Sequence, residues 1–97
     1  MVKRIIWSQN ALADRILILD YWFHRIGNKT YSRRLDHELK ESIKHLSRFP
    51  KIGRQVDNRE ERFLVKDFYQ VFYMESDLEI YILHIWDSRR NPDDFTY

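Results

Sequence analysis

Cysteine is missing from these 97 residues, which excludes a disulfide framework and any thiolate metal site. That absence fits a reducing cytosol. Glycine and proline are scarce, with two of each, and no low-complexity tract, internal repeat or interdomain linker is visible. Long apolar runs are absent too. Residues Met1 to Arg4 carry charge, but only Ile5, Ile6 and Trp7 follow before Ser8, short of a signal-peptide core. Nothing approaches the length of a membrane span. Neither sign of charge dominates: 17 Lys and Arg face 15 Asp and Glu, for a net charge of +2. A balance that mild does not by itself argue for nucleic acid. A soluble cytoplasmic protein without cofactor, metal or membrane association is the expectation.

Aromatic residues are plentiful: three Trp, six Tyr and six Phe. A chain of this length makes one domain, residues 1–97, and buries only about 60–65% of its unfolded surface. Its core must therefore be dense in large side chains, and the composition provides them. It is not the composition of a disordered segment.

Val2 to Trp7 reads as a short β-branched and aromatic strand. Ser8 offers an N-cap oxygen to a helix beginning near Gln9. Apolar residues at Leu12, Ile16, Leu19, Phe23 and Ile26 lay a stripe along that helix, and Leu17, Ile18, Tyr21 and Trp22 widen it. So wide a stripe predicts contact with more than one neighbour. Gly27 suits the left-handed residue that ends a helix. Asn28 is the candidate cap of a second helix, whose Tyr31, Leu35, Leu39, Ile43 and Leu46 form a core stripe opposite Arg33, Arg34, Lys40, Glu41, Lys44 and Arg48. The short connection predicts an antiparallel helical hairpin. Pro50 and Gly53 end the pattern and open a polar loop from Lys51 to Glu61.

Beyond the loop the pattern becomes extended. Arg62 to Lys66, Tyr69 to Glu75 and Glu79 to Trp86 read as three strands joined by short connections, hence an antiparallel meander. Val71 to Tyr73 and Tyr81 to Leu83 are apolar on both faces, as strands central to a sheet are. The order β-α-α-β-β-β predicts an α+β domain, a helical hairpin packed on a mainly antiparallel, twisted sheet.

Candidate functional residues are mostly basic. Lys51, Arg54, Arg59, Arg62 and Lys66 fall in the loop and the strand after it, and Arg89 and Arg90 follow the last strand. Brought to one face they would make a concavity for a phosphate backbone or an acidic segment; interrupted by Asp57, Glu60 and Glu61, they would be ordinary solvated surface. His84 is the candidate acid–base group, against a histidine hydrogen-bonded within the sheet. His37 and His45 lack the spacing of a helical zinc pair, and His24 suits a helix C-terminus. Tyr69, Phe72, Tyr73, Tyr81 and Trp86 read first as core, with base stacking as the alternative.

Four stretches in order give a resemblance. Ile6-Trp7-Ser8 before a helix, Phe49-Pro50-Lys51-Ile52-Gly53-Arg54 after the second helix, Arg62 with Tyr69 and Val71-Phe72-Tyr73, and Ile85-Trp86-Asp87-Ser88-Arg89-Arg90-Asn91-Pro92 together resemble the RelE/ParE toxins of type II toxin–antitoxin systems. The likeness runs from about Ile5 to Phe95, and the Asp87-Ser88-Arg89 ending is similar to the ParE-like branch.

The resemblance implies a growth-inhibiting, plasmid-stabilising toxin neutralised by a cognate antitoxin in a hetero-oligomer. ParE-like members poison DNA gyrase without catalysing a reaction. RelE-like members cleave mRNA on the ribosome, where cations stabilise the phosphate and a base takes the 2′-hydroxyl proton. The arginine of that branch's third strand is Gln70 here, which favours the gyrase-binding alternative. Arg62, His84, Arg89, Arg90 and Tyr97 are the candidates for a nuclease, with Phe95 where some nucleases carry tyrosine. A retained but inactive binding module is the third reading. Target binding would fall to Lys51, Arg54, Arg62, Lys66, Arg89 and Arg90. An antitoxin segment that folds on binding would seat against Leu17, Trp22 and Phe23.

Overall fold

A computed structural model describes residues 2–89. Strand β1 (Arg4–Trp7) leads into helices α1 (Gln9–Ile26) and α2 (Thr30–His45), and strands β2 (Arg54–Gln55), β3 (Arg62–Lys66), β4 (Tyr69–Glu75) and β5 (Glu79–Asp87) follow. They form one five-stranded sheet in the order β1-β5-β4-β3-β2. Only the β1–β5 pair is parallel. β4 and β5 are therefore central, as their two-faced apolar sequences predict.

Local chemistry sets the helix ends. Ser8 caps α1: its Oγ accepts the Ala11 N–H at 3.0 Å and donates to the Leu83 carbonyl at 2.9 Å. The Ser8 N–H reaches the Ile82 carbonyl at 2.9 Å, so one residue both starts the helix and ties it to β5. Gly27, at φ 88°, closes α1 with its N–H on the Phe23 carbonyl. Asn28 is not itself the cap. Lys29 holds that position, and the Asn28 Oδ1 accepts the Thr30 N–H at 3.0 Å from one residue earlier.

The α2 stripe is core. Leu35, Leu39, Ile43 and Leu46 are buried together with Tyr69, Val71, Tyr73, Ile80, Ile82 and Ile85. On α1 the buried line runs instead through Ala11, with Ile18 and Trp22 packed against the cluster. Three residues of the sequence-read stripe, Leu12, Ile16 and Ile26, are exposed. With apolar residues around most of the helix, periodicity alone does not choose the buried side; the sheet does. The paired helices are clamped by Arg15, whose Nε and Nη2 meet the Asp36 carboxylate at 2.6 and 2.9 Å. That pair holds Asp36 below the usual carboxylate range, first through the Arg15 hydrogen bond.

Two strand features depart from the sequence reading. The loop from Lys51 to Glu61 contains β2, whose Arg54 and Gln55 pair with Phe63 and Arg62. A register irregularity also falls between Phe72 and Tyr73: Phe72 faces His84 whereas Tyr73 faces Ile82. Leu83 is the extra residue, and the core positions of β5 change from Ile80 and Ile82 to Ile85 across it. Among the described residues, no helix is long and apolar enough to cross a membrane.

Candidate functional site

Tyr69 and Tyr73, four residues apart on β4, are both buried on the helix-facing side. Tyr69 lines a surface cavity at one end of the strand, and Tyr73 bonds the Pro50–Gly53 backbone at the other.

At the Tyr69 end, a cavity of about 470 Å³ is lined by Asp14, Leu17, Ile18 and Tyr21 of α1, by Tyr69 and by Ile85, Asp87 and Arg89. The Trp22 Nε1–H donates to the Tyr69 hydroxyl at 2.6 Å, and burial pushes that phenol up from its ordinary value. Asp87 and Arg89 form a two-pronged pair at 3.0 and 2.7 Å. The Arg89 guanidinium lies 4.4 Å from the centre of the Phe68 ring, with Trp22 and Tyr21 at 5.4 and 5.9 Å. Ser88 secures the same corner by donating its N–H and Oγ–H to the Phe68 carbonyl. The Asp-Ser-Arg ending is thus a stacked, charge-paired plug. Across the cavity, the Asp14 carboxylate accepts the Ile85 N–H at 3.0 Å. Leu17 and Tyr21 remain 65% and 47% exposed at its mouth, while Trp22 and Phe23 are half-buried.

At the Tyr73 end, the hydroxyl donates to the Pro50 carbonyl at 2.7 Å and accepts the Gly53 N–H at 2.9 Å. Arg62 turns its Nη1 to the carbonyls of Gly53 at 2.9 Å and Lys51 at 3.4 Å. Glu75 lies between Lys3 and Lys51, at 2.6 and 3.3 Å; Lys3 above all keeps its carboxylate below the ordinary range.

The basic candidates therefore divide. Lys51, Arg54 and Arg62 gather at one end, whereas Lys66, paired with Glu38 at 3.3 Å, and Arg89 lie towards the other. Arg62 stands opposite Tyr73, while Asp87, two residues before Arg89, stands opposite Tyr69. Four strand residues separate those positions, about 13 Å. Among the described residues, the candidate cations do not surround one phosphate. His84 is half-buried, with Nδ1 3.4 Å from the Asp14 Oδ2. Gln70 pairs with Val65 and Trp86 in mid-sheet. Arg90, Phe95 and Tyr97 lie outside the described residues. No group of side chains suited to holding a metal ion occurs among the described residues.

A family model described as the ParE toxin of the type II toxin–antitoxin system parDE matches residues 5–92. The chain belongs to the ParE toxin family. This ParE-family chain also shares its fold with a solved structure, the chromosomal ParDE toxin–antitoxin system from P. aeruginosa. The TM-score is 0.76 at 23% identity, over 87% of this chain and 94% of that one. No curated protein matches. Membership makes this a toxin of a type II pair and implies an antitoxin partner.

Of Leu17, Trp22 and Phe23, expected from the sequence to line an α1 groove, only Leu17 lines this cavity, and Asp14, Ile18, Tyr21 and Asp87 were missed. The signal was present: residues 14, 17, 18 and 21 recur at helical spacing, so they share one side of α1.

Proposed function

We propose that this ParE-family toxin arrests growth in the cytoplasm by binding DNA gyrase, without catalysing a reaction, and is silenced by an antitoxin segment seated in the α1 cavity. The observation that carries the reading is the separation of the cations. A nuclease of the RelE kind needs them gathered around one phosphate with an acid–base group in reach. Here Arg62 is spent on backbone carbonyls, Arg89 on Asp87 and aromatic rings, and Gln70 adds no charge.

The α1 cavity supports the second half. At about 470 Å³ it has room for an apolar side chain of a partner segment against Leu17, Ile18 and Tyr21, with Asp14, Asp87 and Arg89 at hand for its polar groups. Leu17 supplies open contact area; Trp22 and Phe23, half-buried on the same helix, flank the cavity in sequence without lining it. Target contacts are assigned to Lys51, Arg54, Arg62, Lys66 and Arg89, with Arg90 beyond the described residues.

The test titrates purified toxin into a DNA gyrase supercoiling reaction and, separately, into a translating extract. Dose-dependent loss of supercoiling with intact messenger is expected. Messenger ends bearing 3′-phosphate or cyclic phosphate, with supercoiling untouched, would sink the proposal.

A further inference from the structure

A second apolar surface lies away from the α1 cavity. Phe49 and Ile52 are 59% and 55% exposed, and with Pro50 and Lys51 they line an open cavity of about 440 Å³. Large apolar side chains are exposed elsewhere on this chain, but Phe49 and Ile52 adjoin on one short loop and line the same cavity, the contiguous kind of patch that marks contact with a partner.

The loop is stiff. Tyr73 bonds it at Pro50 and at Gly53, and Arg62 bonds the carbonyls of Lys51 and Gly53. Phe49 and Ile52 are therefore displayed on a backbone tied down at Pro50, Lys51 and Gly53 in the free chain, which lowers the entropic cost of binding.

Its charge is one-sided. Arg48, Lys51 and Arg54 are exposed around the apolar pair. Among the described residues, the Arg48 and Arg54 guanidinium groups make no hydrogen bond or ion pair, and the adjoining Glu75 is already held by Lys3 and Lys51. An apolar centre flanked by two unpaired guanidinium groups, with Lys51 paired to Glu75 beside them, complements a partner with the reverse pattern. A base would stack on Phe49, but the aliphatic Ile52 has no ring face to offer. The chemistry favours protein over nucleic acid.

We infer that the Arg48–Arg54 loop is the toxin's target-facing surface, taking an acidic protein segment with an apolar anchor between Phe49 and Ile52. This rests on the toxin reading above and narrows it. The two target-binding ends assigned there are unequal, and the antitoxin cavity at the Tyr69 end is a separate place.

The experiment induces wild-type chain, Phe49→Ser with Ile52→Ser, Arg48→Glu with Arg54→Glu, and the control Val65→Ser, an exposed apolar change on β3. Growth is scored against the measured level of folded protein, with circular dichroism and thermal melting confirming the fold. Both loop doubles should need about tenfold more toxin or greater for half-arrest, and the control should match wild type. Loop doubles that arrest growth like wild type overturn the assignment and leave the toxin reading standing. A wild-type chain that arrests nothing overturns both. Wild-type retention of a labelled DNA duplex, lost in the charge-reversed double but kept in the serine double, would make the loop a nucleic-acid site and overturn the protein assignment. Wild-type arrest with gyrase untouched removes gyrase as target, and the same variants still decide the surface.

Discussion

The Gly53 backbone lies directly against the Tyr73 side chain, its N–H 2.9 Å from the phenol oxygen. A Cβ on Gly53 would collide with that oxygen and come within 2.7 Å of Tyr73 Cε1 and 2.9 Å of the Phe63 carbonyl. Glycine is required there by close approach, and one tyrosine holds the loop at two points.

Gly53→Ala should cost about 1–3 kcal/mol through overpacking. Tyr73→Phe should cost about the same by leaving the buried Gly53 N–H without its acceptor. Urea denaturation of each against wild type checks both. Unchanged midpoints would show that the loop is not anchored this way.

Trp22→Phe keeps a ring beside Tyr31 but removes the indole N–H from the Tyr69 hydroxyl. The expected loss is about 1 kcal/mol or slightly more, since a volume term adds to the hydrogen bond. Tyr69→Phe should show a similar loss, and the double variant less than the sum of the two. Strict additivity in a double-mutant cycle would contradict the contact.

Acid should loosen the helical hairpin through Asp36. Its folded-state pKa is depressed below the ordinary 3.8 by Arg15. The stabilisation is therefore fully present above the unfolded value and is lost as pH falls through the depressed folded one. Asp36→Asn should remove about 1 kcal/mol near neutrality, discounted for the pair's partial exposure. It should also flatten the fall in stability below about pH 4. Parallel stability curves for variant and wild type from pH 7 to pH 2.5 would contradict this account of the pair.

Leu17→Ser with Tyr21→Ser removes a largely solvent-facing leucine and a tyrosine ring that also meets Trp22 and Arg89, so stability should fall by about 1–2 kcal/mol in total, leaving the chain folded. Co-expressed antitoxin should nonetheless fail to rescue cells carrying the double variant. Rescue equal to that of wild type would move the antitoxin to another surface.

Much of this fold was legible because the deciding chemistry is local. Ser8 and Gly27 mark the α1 ends through capping and left-handed geometry, and the α2 stripe shows its buried face because its other side is charged. The buried face of α1 was not legible, since Leu12, Ile16, Leu17 and Tyr21 are as apolar as the residues it buries. β2 escaped notice because a two-residue strand exists only through its pairing with β3. At the site, Arg62 and Arg89 read as members of one basic group; strand register places them at opposite ends of β4, and no composition signal reports register. The Asp87–Arg89 pair was visible as a motif, but its stacking on Phe68 depends on the β3–β4 turn reaching the end of β5.

The most direct test of the central claim is induction of wild-type chain in growing bacteria, with pulse-labelled DNA and protein synthesis followed from the first minutes. A toxin acting on gyrase stops DNA synthesis first while protein synthesis continues. Protein synthesis failing first, with DNA synthesis following later, would contradict the account and return the chain to the ribosome.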